Sequence, residues 1–285
     1  MIIGERIIQA AKEAVIGASS RFREDQLQAY YKALEIEEDE KSKWVLKQNI
    51  ENALLASLNH SPICDDTGIP HIVLSIGNDE VVPGKIQSYI QQGIKEGLAE
   101  LPGRPMAVIG NEMERLGQTL GMYDDPSKLE AAPVLLMEHQ GKGIKITVLM
   151  LGGGPEIRGK TYRVFHKHDG QNVINEVIGW IKEGVSKLGC TPAVPFVGIG
   201  RTHFEASSYM LRAMYEANFN HQTDIEQQIV TEINKENVGS LGLGGNITSL
   251  GAFVRIAPQR ASGVRIVSMR LGCSIDPRRH SVCLE

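Results

Sequence analysis

No two of the four cysteines form a CxxC pair, which removes the sequence-local zinc-ribbon and ferredoxin patterns. No window approaches the roughly 18 successive apolar residues that a membrane-spanning helix needs. Excess positive charge is also missing: the formal net charge is -4, whereas nucleic-acid binders are usually basic. The opening MIIGERIIQAAKEAVIG has neither the basic-then-apolar run nor the small-residue cleavage site of a secretory signal. These absences lead to the expectation of a cytoplasmic protein with no membrane and no nucleic-acid partner. Thiols stay reduced there, so Cys64, Cys190, Cys273 and Cys283 are read as free thiols or metal ligands. No internal repeat, low-complexity tract or linker stands out, which predicts one continuous domain over residues 1–285.

What is present is enough to bury a large core: 285 residues, 42% of them hydrophobic. Periodicity predicts helices at 2–18, 24–39 and 41–59, the last with Trp44, Leu46, Ile50, Leu54 and Leu58 at helical steps. A strand is expected at 71–76 and a helix at 84–100, ended by Pro102 and Gly103. Strands at 132–138 and 144–151 flank the turn HQGKG. A helix at 171–188 leads to Gly189 and Cys190, the apolar run PFVGIG follows, and then come helices at 203–218 and 222–236 and strands at 252–257 and 264–270. The fold class is therefore α+β, a helical N-terminal region followed by β-sheets packed with helices.

Three cysteines sit at predicted element ends rather than inside apolar periods: Cys64 in PICDDTG, Cys190 in LGCTPAVP and Cys273 in LGCSIDP. Two readings stand at this point, unrelated loop thiols or ligands that the fold gathers. Cys283 looks surplus. Asp65 and Asp66 are adjacent carboxylates that would titrate as a coupled pair. LGGGPEIRGK and LGLGGNITSLG match neither GxxxxGK[ST] nor a strand-to-helix GxGxxG, yet both permit close approach of backbone to a ligand.

Taken in order, Cys64-Asp65-Asp66-Thr67-Gly68, the Gly152-Gly153-Gly154 run, Cys190 with Pro192 and VGIG, GSLGLGGNITSLG and Cys273 resemble the landmarks of class I iron-sulfur hydro-lyases. More narrowly the chain resembles the α subunit of two-subunit class I fumarase or L(+)-tartrate dehydratase. The resemblance implies a [4Fe-4S] cluster held by Cys64, Cys190 and Cys273, with one iron left open. That iron acts as a Lewis acid on a small hydroxy-dicarboxylate, fumarate/(S)-malate first and L(+)-tartrate or a related 2-hydroxy acid second. It also implies an acidic active-site role for Asp66, with Asp65 standing where glutamine is common.

Substrate contacts are expected from Arg115, with Arg104 as second choice, and from Gly153 or Gly154. Arg158, Lys160 and Arg163 could meet a second carboxylate. The family's histidine twelve residues before the third cysteine is replaced here by Ala261, beside Arg260. Arginine does not shuttle protons at neutral pH, so Arg260 is expected to bind a carboxylate. Arg278, Arg279 and His280 could contact substrate or cap the cluster. The resemblance further implies a β subunit that completes the substrate site, an α2β2 assembly, and no C-terminal swivel domain in this chain. A redox or non-catalytic iron-sulfur subunit is the alternative of another class; it predicts four cysteine ligands and an air-stable cluster.

Overall fold

A computed structural model describes residues 3–285. The elements run α1 (Ile3–Ser20), α2 (Glu24–Ile36), α3 (Glu40–Asn59), β1 (Ile69–Gly77), α4 (Ile86–Glu100), α5 (Glu112–Gly117), β2 (Leu135–His139), β3 (Ile144–Leu151), α6 (Gly153–Glu156), β4 (Lys160–Phe165), α7 (Gly170–Val185), β5 (Val194–Gly200), α8 (His203–Glu216), α9 (Asp224–Asn234), β6 (Phe253–Ile256), β7 (Val264–Gly272) and β8 (Arg279–Leu284). The α+β class expected from sequence is the one observed. Residue 2, the first of the expected opening helix, lies outside the described residues. The expected helix 24–39 ends early because Glu37 turns to extended backbone, ψ 137°, and spends its carboxylate on the N–H groups of Glu38 and Asp39. Of the apolar residues expected on α3, Leu46 and Ile50 are buried, whereas Trp44, Leu54 and Leu58 are exposed.

The chain groups into two compact units: Met1–Phe22, Ala53–Gly152 and Arg278–Glu285 form unit 1, and Arg23–Asn52 with Gly153–Pro277 form unit 2. Unit 1 holds a four-stranded sheet ordered β2-β1-β3-β8. Ile7, Ala10, Ala14 and Ala18 of α1, spaced three and four apart, pack with Ile90, Ile94 and Leu98 of α4 over Ile72, Leu74, Ile146 and Val148 of β1 and β3. Unit 2 holds a sheet ordered β4-β7-β5-β6. Val177 and Ile181 of α7 and Ile229 and Ile233 of α9 cover Val197, Val267 and Met269. Capping fixes where these helices begin: Asp169 caps α7, and a Thr223/Glu226 capping box opens α9.

The two sheets share one topology. In each, a strand that follows a cysteine loop (β1 after Cys64, β5 after Cys190) pairs parallel with an edge strand (β2, β6) and antiparallel with a long central strand (β3, β7). The fourth strand is exchanged. After β3 the chain passes to unit 2 and supplies β4, which pairs with β7, and after β7 it passes to unit 1 and supplies β8, which pairs with β3. The sequence carries a trace of this. GIKITVLMLGGG (143–154) aligns with GVRIVSMRLGCS (263–274), so Gly153 is the counterpart of Cys273. The expectation of no internal repeat fails for this reason: only the central strand and its exit turn keep recognisable side chains.

Candidate active site

In unit 1 the CDDTG loop is held by a buried cation. Arg278, 4% exposed, donates from Nη1 to the backbone carbonyls of Asp66 (2.7 Å) and Thr67 (3.0 Å), and its own carbonyl accepts from Met150 N. Asp66 Oδ1 accepts from Gly68 N at 3.1 Å, and Gly68 takes φ +80°, which suits glycine. The Asp66 carboxylate lies against the end of β3: a Cβ added at Gly152 would stand 2.8 Å from Asp66 Oδ2 and 3.0 Å from Arg278 Nη2. Asp65 points elsewhere and pairs with Arg104, Nη1 to Oδ2 at 2.9 Å, while Thr67 Oγ1 donates to the Arg104 carbonyl at 2.7 Å. The second-choice arginine therefore reaches this loop. Arg115 lies on exposed α5, between Val108 and Met122, which form a β-bridge.

In unit 2 the other two cysteine loops are joined. Ser274 N donates to the Cys190 carbonyl at 2.9 Å. Behind them Tyr30, fully buried, donates from its hydroxyl to the Ser274 carbonyl at 2.5 Å. Burial pushes the Tyr30 phenol far above its usual range, and the charges of Cys273 and Cys190 push it the same way. Thr191 Oγ1 donates to Gly239 O at 2.5 Å and accepts from Gly242 N at 3.2 Å, tying Cys190's loop to the glycine-rich segment.

That segment is itself organised by a buried anion. Glu37, 2% exposed, accepts from Asn246 N and Ile247 N, both at 2.9 Å, as well as from Glu38 N and Asp39 N. Burial works to raise its pKa, but the four backbone donors outweigh it and hold the carboxyl below its ordinary value. A Cβ at Gly245, φ +118°, would lie 2.8 Å from the Glu37 carboxylate.

Arg270, 1% exposed on β7, pairs with Glu156 of α6 and lies 3.8 Å from Asp276 Oδ2. The same Oδ2 accepts from Cys273 N at 3.2 Å. This chain from α6 through Arg270 to the Cys273 loop was not foreseen; the signal was an arginine inside an apolar strand, IVSMRLG. Gly153 opens α6, and a Cβ at Gly154 would meet nothing within 4 Å. Arg260 lies in the β6–β7 turn, whereas Cys273 follows the other end of the nine-residue β7, so the structure does not bring these two together.

Arg158 donates to Lys187 O, and Lys160 and Arg163 lie on β4. Arg279 and His280 begin β8, and the His280 ring packs where a Cβ of Gly17 would fall. Two cavities within unit 2, one of about 470 Å³ between α7 and Ile199 and Ile256 and one of about 600 Å³ beside β4, are lined by residues outside the cysteine loops.

None of the four cysteines is in a disulfide; Cys64 and Cys273 are half-buried and Cys190 is exposed. Thiolates are the donors that iron-sulfur clusters take, and unit 2 supplies two of them on loops bonded backbone to backbone. Cys64 belongs to unit 1. Among the described residues no group of three or more His, Cys, Asp or Glu side chains is disposed to hold a metal ion.

Comparison with known proteins gives a consistent set of likenesses. The family model described as "Fumarate hydratase (Fumerase)" matches residues 8–282. A Methanocaldococcus jannaschii protein named "Putative L(+)-tartrate dehydratase subunit alpha" is 29% identical over 97% of this chain and 94% of its own length. A Geobacillus stearothermophilus "Putative fumarate hydratase class I" is 26% identical over 96% of this chain, which spans only 55% of that protein. The Escherichia coli K12 "L(+)-tartrate dehydratase subunit alpha" is 23% identical over 90% of this chain and 83% of its own length.

Proposed function

The chain belongs to the fumarate hydratase family and is a hydro-lyase chain, and from that premise we propose that it is the α subunit of a [4Fe-4S] enzyme that interconverts fumarate and (S)-malate. Cys64, Cys190 and Cys273 would hold the cluster, and an iron without a protein thiolate would supply Lewis acidity toward the substrate hydroxyl. The observation that carries this reading is the 2.9 Å bond from Ser274 N to Cys190 O, which sets two cysteine loops side by side. Asp66 moves the C3 proton at Oδ2, the oxygen turned toward Gly152. Its loop is fixed by Arg278, so the carboxylate is oriented before substrate arrives. Arg104 offers a guanidinium for a substrate carboxylate, and its pair with Asp65 offsets the charge that a second acid would otherwise bring against a dianion.

A second subunit supplies the remaining groups, in an α2β2 assembly in the cytoplasm; the relatives named "subunit alpha" support the existence of that second subunit. Those same names favour L(+)-tartrate as the second reading. The test is anaerobic production with the candidate second subunit, followed by turnover of malate, tartrate and citramalate. Malate preferred with Asp66→Asn inactive supports the proposal; tartrate preferred selects the second reading, and no turnover of any of the three rejects both.

A further inference from the structure

The outer edge of the unit 2 sheet carries side chains suited to a second copy of itself. β4 ends the order β4-β7-β5-β6 and, among the described residues, pairs with β7 alone. Five of its six residues are exposed, and only Val164 turns into the core. Three large apolar side chains crowd this edge: Ile157 is 71% exposed, Tyr162 51% and Phe165 58%. Charged residues normally keep such an edge solitary. Here both cations are drawn against rings of their own chain. The Arg163 guanidinium carbon lies 5.6 Å from the Tyr162 ring centre and 5.7 Å from that of Phe165, and Lys160 Nζ lies 4.3 Å from that of Trp180. On the α7 side the strand borders a concavity of about 600 Å³ lined by Lys160, Tyr162, Val164, Asn172, Asn175 and Glu176, with room for side chains from a partner strand.

Symmetry narrows the register. A two-fold axis normal to a sheet keeps each face on its own side, so antiparallel copies of one strand meet only at residues of equal parity. Centring on Arg163 would oppose two guanidinium groups, which is unfavourable. Centring on Tyr162 sets the two Tyr162 rings opposite each other, Thr161 opposite Arg163 and Lys160 opposite Val164, with no like charges facing.

We propose that β4 is the seam through which two copies of this chain join, antiparallel about Tyr162, merging their unit 2 sheets into one. The proposal names a surface for the α–α contact of the assembly and is independent of substrate and cluster, so turnover measured on the same samples separates its failure from failure of the functional reading. The experiment is native mass spectrometry and sedimentation of the anaerobic complex as produced with its second subunit, comparing wild type, Tyr162→Asp and Tyr162→Cys. The wild type is expected to contain two copies of this chain, and Tyr162→Asp to weaken the pair by about tenfold or more. Mild oxidation of Tyr162→Cys is expected to give a covalent pair joined through the introduced thiols, a product that wild type does not form. A wild-type complex with one copy of this chain overturns the proposal. So does a pair that survives Tyr162→Asp while Tyr162→Cys gives no link. Should Tyr162→Asp fail to fold, the crosslink alone decides.

Discussion

Units 1 and 2 share a strand topology but hold their loops with charges of opposite sign. In unit 1 a buried cation, Arg278, collects the carbonyls of Asp66 and Thr67. In unit 2 a buried anion, Glu37, collects four backbone N–H groups, two of them from the glycine-rich segment. A buried charge is costly unless its hydrogen-bonding capacity is met, and backbone dipoles meet it in both places. The lesson is that a repeated scaffold does not dictate how its loops are pinned. The choice of ion sets which backbone groups turn inward, and with them which conditions loosen the loop.

The comparison can be broken most severely at Arg278. Arg278→Met removes two charge-assisted bonds from buried carbonyls and should cost about 3 kcal/mol. Denaturant unfolding reads the loss, and hydrogen exchange should locate it at residues 66–68 with little change at 244–248. Glu37→Gln should do the reverse at about 2 kcal/mol, because one amide offers a single acceptor oxygen and no charge to the four donors. Protection would fall at Asn246 and Ile247 and persist in the Asp66 loop. If either variant loosens both loops equally, the units are not held independently.

A smaller effect on stability is expected from Gly152→Ala, about 1–2 kcal/mol, since the added methyl meets two side-chain ends that can shift. Its effect on turnover should be larger than on stability, because the atom displaced is Asp66 Oδ2. Acid sensitivity sharpens the contrast with the smallest change. His280 in unit 1 is held below its ordinary value of 6.5, chiefly by burial and then by Arg21. Its neutral form is the one stabilised, so its contribution is present above that value and is lost as pH falls through it. Glu37 is likewise held below its ordinary 4.5, so the anion's contribution is lost only as pH falls past the carboxylate range. Protection in the β8 and α1 region should therefore weaken as pH falls below the ordinary histidine value, and protection at Asn246 only once pH falls below the ordinary carboxylate value. His280→Gln should abolish the first step and leave the second.

Much of the fold was legible. The long periodic helices and the apolar strands β1, β3 and β7 stand out because both periodicity and burial mark them. The exchanged strands do not: KTYRVF reads as a charge run and RHSVCL as a polar tail, since edge strands with at most one buried residue lose the apolar alternation. Residues 111–114, NEME, did carry the signature of the capping box that starts α5. The Asp66 loop was legible as chemistry but not its clamp, because Arg278 lies 212 residues away in sequence, a pairing that only the exchange of β8 explains. Arg104 ranked second to Arg115 on sequence, which cannot show that Thr67 and Asp65 both bond to it.

Iron and acid-labile sulfide per chain, measured anaerobically on single Cys→Ser variants, test the central claim most directly. The proposed three-cysteine ligand set predicts about four irons in wild type and in Cys283→Ser, and loss of the cluster from Cys64→Ser, Cys190→Ser and Cys273→Ser alike with each chain still folded. A cluster that survives Cys64→Ser, or a fully reconstituted wild type without iron, would contradict it.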